Sequence, residues 1–295
     1  MLLNEAFFAI KDLVGIQFKD IFSESQLEDI IKNKGKSGQI LELAIGLKNT
    51  NVTLDFEDGE LKTNKCNAKG KPLETMFITQ ISGIIDELLE EKNFKIKGRL
   101  YHYTQVNMAY NTNRIEGSKL SEDQTRSIFE TQTLLSEGNT PINTDDIIET
   151  QNHFKAFDYM LDIAEEPLTE EIIKTFHWYI KHGTSQEKLS WFRVGDYKIK
   201  PNTIGDLVTT TSPEKVHDEM DHLLYVYEMN PQKTVEDLID FHYHFEKIHP
   251  FQDGNGRVGR LIMFKECLRN GITPFIIEDD IKEFYYRGLK EWKNE

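Results

Sequence analysis

Apolar residues recur at helical spacing through Ile147–Ala164 (IIETQNHFKAFDYMLDIA) and Val216–Met229 (VHDEMDHLLYVYEM), with polar residues between them. That pattern predicts amphipathic helices packed on one face. The stretch His102–Gly117 contains no proline and ends on a glycine able to take the left-handed conformation just past a helix. Ser121, three residues before Gln124, then opens the next helix with a capping box. Two further helices are expected, one over Asp237–His249 and one starting near Arg257 ahead of the apolar run Leu261, Met263 and Phe264. Ser190–Lys215 breaks the helical spacing. Its glycines, proline and asparagine flank β-branched positions, which predicts a short hairpin. The tract from Ser136, SEGNTPINTDD, has loop composition.

The chain has 295 residues, a soft prior for about two domains at ~150 residues each. The first ninety differ in texture from the rest. Glu60 and Lys62 stand two apart, a spacing that in a strand puts both side chains on one face. The fold class expected is therefore mainly α, a helical bundle with a β-hairpin, preceded by a small α/β segment. The formal net charge is −15, from 35 Lys+Arg against 50 Asp+Glu, with most of the excess after residue 80. This is not the basic footprint of a phosphate-backbone binder, and nucleic acid is not an expected partner. Cys66 and Cys267 are far apart and lack metal-type spacing, which suits a reducing cytoplasm. The start, MLLNEAFFAI, has no basic region, and no apolar run approaches the roughly eighteen residues of a membrane span. A cytoplasmic protein without a membrane segment is expected.

The segment His249–Arg260, HPFQDGNGRVGR, concentrates chemistry in a short loop. Gly254 and Gly256 flank Asn255, so successive backbone N–H groups can converge on a phosphate without a Cβ in the way. If a helix starts here, the partial positive charge of its N-terminus adds to that site. Asp253, one residue earlier, can hold a Mg²⁺ that bridges phosphate oxygens. His249 titrates in the range suited to accepting a hydroxyl proton. Arg257 and Arg260 supply positive charge for phosphates.

This segment resembles the HxFx(D/E)GNGRxxR signature of Fic-domain proteins at His249, Phe251, Asp253, Gly254, Asn255, Gly256, Arg257 and Arg260. The likeness runs from about Lys97 to the end of the chain and takes in FHYHFEKIHPF, WFRVGDYKI and EFYYRGLKEW. It implies transfer of AMP from ATP to a Tyr, Thr or Ser hydroxyl of a target protein. On that resemblance His249 is the base, Asp253 holds Mg²⁺, and Gly254, Asn255, Gly256 and Arg257 cradle the phosphates. Arg260 holds the γ-phosphate, and Tyr285 lies beside the adenosine. Phe251, set between polar residues, is expected to anchor the loop in the core. The motif leaves UMP or another nucleotide open as cargo. A flap over about 197–205, with its edge from Tyr197 to Ile204, corresponds to the element that clamps a target by strand addition. The partners implied are ATP, Mg²⁺ and a protein with an exposed hydroxyl; self-modification and a homo-oligomer are compatible with the family.

Upstream, TNRIEG (Thr112–Gly117) fits the (S/T)xxxE(G/N) pattern of the inhibitory helix of autoinhibited Fic proteins, here about residues 101–117. Glu116 at its end is expected to pair with Arg260 and occupy the group that the γ-phosphate needs. The same carboxylate can position a water that removes AMP. The first ninety residues, through KGKSGQILELAIG and LDFEDGELKTNKCNAKGKPLETMFIT, resemble part of a MutH/Sau3AI-type DNA endonuclease. Glu42, Asp55, Glu60 and Lys62 match its Mg²⁺-binding and water-activating residues, but too little chain follows for an active nuclease. An endonuclease and a non-catalytic binding module remain the alternative functions. The other histidines receive structural readings. His242 and His244 lie about 200° apart on a helix and cannot share one metal. His153, His177, His182, His217 and His222 are assigned to packing or solvent contact.

Overall fold

The structure is a computed structural model that describes residues 22–23, 83–135, 141–204 and 208–292. The chain divides into two compact units, Met1–Ser82 and Gly83–Glu295. Glu42, Asp55, Glu60 and Lys62 lie outside the described residues.

Among the described residues there are nine α-helices, all in the second unit: α1 (Ile84–Phe94), α2 (Leu100–Ile115), α3 (Glu122–Thr131), α4 (Thr144–Asp162), α5 (Glu170–Lys181), α6 (Pro213–Met229), α7 (Val235–Ile248), α8 (Asn255–Arg269) and α9 (Lys282–Glu291). Their ends follow local chemistry. Ser121 accepts from the Gln124 N–H while Gln124 Oε1 accepts from the Ser121 N–H, the reciprocal box expected from the sequence. Thr234 and Asp237 form the same arrangement at the start of α7. Thr169 caps α5 through the Ile172 N–H, and Asn143 caps α4. Helix α2 ends at Glu116, followed by Gly117 at φ +98°.

Helix α8 is the axis of the bundle, packing against α2, α4, α5 and α7. It is buried around most of its circumference. Val258, Leu261, Ile262 and Phe264 face the core on several sides, which is why its sequence reads as a continuous apolar run rather than a stripe. Phe157, Phe176, Phe245 and Phe251 are fully buried around it. Each such side chain contributes roughly 2–3 kcal/mol by leaving water. A smaller cluster of Ala109, Leu120, Ile128 and Phe154 joins α2, α3 and α4. This fixes the end of α2 against the bundle, which matters for the site.

The hairpin is shorter than the sequence suggests. Thr203–Ile204 pairs antiparallel with Val208–Thr209, in the register Thr203 to Thr209 and Ile204 to Val208. Tyr197 to Asn202 do not belong to the strand. Pro201 has no N–H to give a ladder. The preceding residues turn their hydrogen bonds inward: Lys198 N–H donates to the Pro250 carbonyl at 2.9 Å, and Asn202 Nδ2 donates to the Phe251 carbonyl at 2.9 Å.

Candidate active site

Helix α7 delivers His249 and α8 begins six residues later, so one loop carries both a base and a helix N-terminus. His249 sits in the left-handed region at φ 53°, uncommon for a residue with a Cβ. Its N–H closes α7 on the Phe245 carbonyl, and its Nδ1 donates to the Glu246 carbonyl at 3.3 Å. That bond places the lone pair on Nε2. Burial lowers the imidazole pKa to about 4, with the Lys198 charge adding to the effect and the Glu246 carbonyl opposing it. The ring is neutral at physiological pH.

The loop is held from within and from behind. Asn255 uses both ends of its amide on one residue, accepting from the Phe251 N–H and donating to the Phe251 carbonyl, each at 2.8 Å. Phe251 is fully buried, as the sequence suggests, and stacks on His177 with centroids 4.0 Å apart and planes 6° apart. His177 in turn accepts from the Gly195 N–H at 2.9 Å and bonds the Asp253 carbonyl at 3.2 Å. Gly254 caps α8 at φ 83°, a conformation that favours glycine. Beyond it, the N–H groups of the first turn of α8 have no carbonyl one turn back to bond.

Two arginines one turn apart rise from α8. Arg257 is buried against Glu149 of α4, with which it forms an ion pair, and also reaches Asn113. Glu149 simultaneously pairs with the buried Lys181 of α5, and Lys181 Nζ lies 2.7 Å from Asp253 Oδ2. Burial opposes ionisation of Asp253, but Arg257 and Lys181 outweigh it and hold the carboxyl well below the usual range. Arg260 turns toward the end of α2. Its Nε donates to Thr112 Oγ1 at 2.6 Å, and its Nη2 donates to the Thr112 carbonyl at 3.1 Å and to Glu116 Oε1 at 2.6 Å. The Glu116 pKa is lowered by Arg260 and Arg257 in spite of burial. Gly256 makes this approach feasible: a Cβ there would collide with Glu116 Oε1 and stand 3.0 Å from Arg260 Nη1.

The structure therefore gathers His249, Asp253, Gly254, Asn255, Gly256, Arg257, Arg260 and Glu116 into one site. Tyr285 of α9 joins its edge, with its hydroxyl 2.8 Å from His242 Nε2 and Arg260 close enough to perturb it. His177, assigned to packing or solvent contact from the sequence, and His242 are buried struts of the site, whereas the His244 side chain is 44% exposed. Sequence reasoning missed Glu149, Lys181 and Glu246. Glu246 is a buried carboxyl whose pKa is pushed up to about 8 by burial and by Glu116, with Arg260 acting against the shift. A signal for the first two existed. Glu149 lies on the stripe with His153 and Ala156, and Lys181 on the stripe with Ile173 and His177, so each puts a charge on a core face.

Asp253 suits a divalent cation. It is ionised, its side chain is 41% exposed, and it stands beside N–H groups able to hold the phosphates that would complete the coordination. Lys181 is its competing cation. Glu170, His217 and Asp221 also bring potential ligand atoms within 4.8 Å of one another, but this group lies on α5 and α6, with Glu170 paired to Lys174 at 2.7 Å.

The Fic/DOC family model matches residues 167–267, a span that begins before α5 and includes the whole motif. The chain contains a Fic domain. The protein adenylyltransferase Fic of Nematostella vectensis is 27% identical over 186 residues, 62% of this chain and 42% of that protein. The protein adenylyltransferase fic-1 of Caenorhabditis elegans is 23% identical over 250 residues, 80% of this chain and 47% of that protein. The chain thus spans less than half the length of these curated relatives. Among solved structures, a Fic domain containing signaling protein from Bacteroides thetaiotaomicron superposes with a TM-score of 0.58 at 24% identity, covering 70% of this chain and 80% of that one. C. elegans Fic-1 gives 0.53 at 22%, covering 71% and 62%. These likenesses carry the fold. Glu116 lies ahead of the span matched by the family model, so its place beside Arg260 rests on the geometry of this chain. Among the described residues no helix is long and apolar enough to cross a membrane.

Proposed function

We propose that this Fic domain transfers AMP from ATP to a hydroxyl of a protein, and that Glu116 restrains it by holding Arg260. The observation that carries the reading is a neutral His249, its Nδ1 committed to the Glu246 carbonyl, on the same loop that presents the free N–H groups of α8. The acceptor hydroxyl gives its proton to His249 Nε2 as its oxygen bonds the α-phosphorus. The bond from that phosphorus to the bridging oxygen breaks, and pyrophosphate leaves. The α8 N–H groups and Arg257 stabilise charge growing on the phosphate oxygens. Mg²⁺, when bound at Asp253, would neutralise charge on the phosphates. Tyr285 bounds the nucleotide pocket at its adenosine end, and the hairpin edge at Thr203–Ile204 offers main chain for a target segment to pair with.

Arg260 commits Nε and Nη2 to Thr112 and Glu116, so that edge of the guanidinium is withheld from a γ-phosphate. ATP then binds without the contact that aligns its α-phosphate, and release of Glu116 restores that contact. Transfer of label from α-³²P-ATP with Mg²⁺ to the protein itself and to a lysate tests the reading. Glu116→Gly is expected to raise labelling about tenfold or more, and His249→Ala in that background to lower it by about 10²–10⁴. Equal labelling by Glu116→Gly and the unmodified chain would remove the restraint from the proposal. Labelling that survives loss of His249 would remove the base.

A further inference from the structure

Lys198 is a charged side chain that the proposed reaction does not use, and it is almost fully buried, at 3% exposure. Its ammonium donates to Asn202 Oδ1 at 2.7 Å, Thr210 Oγ1 at 2.7 Å and the Ile248 carbonyl at 3.4 Å. The three acceptors are neutral, and together they match the three protons of the group. Burial lowers the Lys198 pKa to about 8. A buried cation without a carboxylate is costly, and a methionine would fill the same volume without that cost.

The positions of the three acceptors explain what the cation does. Asn202 directly precedes the first hairpin strand, Thr210 directly follows the second, and Ile248 directly precedes His249. The knot is tied further by Thr210 Oγ1 donating to the Asn202 carbonyl at 2.9 Å and by Asn202 Nδ2 donating to the Phe251 carbonyl at 2.9 Å. The Lys198 N–H adds its bond to the Pro250 carbonyl. Both legs of the hairpin and the loop bearing the base thus meet at one ammonium.

We propose that Lys198 is a positioning residue that fixes the hairpin at a set distance from His249, and through it the acceptor segment paired with the hairpin edge. The proposal rests on the AMP-transfer reading. It separates two parts of that reaction. Attack by water needs His249, the phosphate cradle and Arg260, whereas attack by a protein hydroxyl also needs the hairpin to hold its target in register.

The test uses the full chain carrying Glu116→Gly, with and without Lys198→Met, and with Thr210→Val as a milder cut in the same knot. Two products of α-³²P-ATP are followed against increasing lysate protein: label on protein and free AMP formed by hydrolysis. Lys198→Met is expected to raise the lysate concentration for half-maximal labelling by about tenfold, with a smaller rise for Thr210→Val, while hydrolysis stays within about twofold. A parallel fall of labelling and hydrolysis would mean collapse of the site and would overturn the proposal. So would no change in either. Amide hydrogen exchange of the same proteins separates this proposal from its parent. If the Glu116→Gly chain makes neither product, the transfer reading fails. The positioning role of Lys198 is then upheld by faster exchange confined to residues 198–210 in Lys198→Met, and overturned by unchanged exchange.

Discussion

Arg257 and Arg260 stand one turn apart on the same helix, both buried and both paired with a glutamate, yet the two pairs are built differently. Glu149 comes from the second turn of α4, its side chain is 15% exposed, and it is shared between Arg257 and the buried Lys181. Glu116 caps the end of α2, its side chain is 31% exposed, and Gly117 in the left-handed region follows it at once. The first pair is enclosed by rigid elements and closes a network through Lys181 to Asp253. The second hangs from a helix end. On the proposed function, a permanent pair differs from a releasable one in the backbone that carries the carboxylate, not in the charges.

The comparison predicts opposite outcomes for loss of the two acids. Glu149→Ala strands two buried cations and is expected to cost about 3–5 kcal/mol, on the order of 10 °C in Tm, without activating transfer. Thermal unfolding checks this, and a change below about 1 kcal/mol would break the contrast. Glu116→Ala removes a half-open pair at a helix end. Arg260 stays buried but keeps both bonds to Thr112, so the change is expected to cost less than loss of Glu149, about 1–3 kcal/mol, while raising labelling, so that stability and activity move in different directions. Thr112→Val should be smaller still. It removes the hydroxyl that accepts from Arg260 Nε while keeping the Glu116 bond, and a rise in labelling of only about twofold to threefold is expected.

The pH dependence sharpens the contrast on the side of the buried neutral groups. His249 titrates in the fold near 4, and His153, His177 and His242 near 3, each held neutral chiefly by burial. In the unfolded chain they take protons near pH 6.5. The unfolded state therefore binds more protons below that point, and Tm is expected to fall as pH drops from 6.5 toward 3. Glu246 has the opposite sign. Its folded pKa near 8 stands above its ordinary 4.5, so the stability it contributes is present below 4.5 and lost as pH rises through 8. Glu246→Gln should gain on the parent chain in Tm progressively from pH 5 to 8. A difference that does not vary with pH would show that this carboxyl is ionised in the fold.

Local signals made part of this legible in the sequence. The end of α2 at Glu116–Gly117, the box at Ser121 and Gln124, and the motif from His249 to Arg260 depend on residues within a few turns of each other. The pairing of Glu116 with Arg260 followed from two such motifs taken together. Glu149 with Arg257 and Lys181 with Asp253 were not legible, because their partners are far apart in sequence and meet only when α4, α5 and α8 pack. The hairpin was legible as turn chemistry, but its length was not. Pairing stops at Thr203 because Lys198 and Asn202 spend their hydrogen bonds on each other and on the loop that follows His249.

Asn255 and Gly256 form a dipeptide prone to ageing, since a glycine nitrogen meets little hindrance in attacking the preceding side-chain amide and expelling ammonia. Here the amide is clasped at both ends by Phe251, and the glycine nitrogen is fixed in the first turn of a helix, so neither partner is free to turn toward the other. Conversion to aspartate would replace a donor with a negative charge facing the Phe251 carbonyl and would open the loop that aims His249. The clasp that shapes the loop is thus also its chemical preservative: as long as the protein stays folded, this perishable amide is shielded from its own backbone.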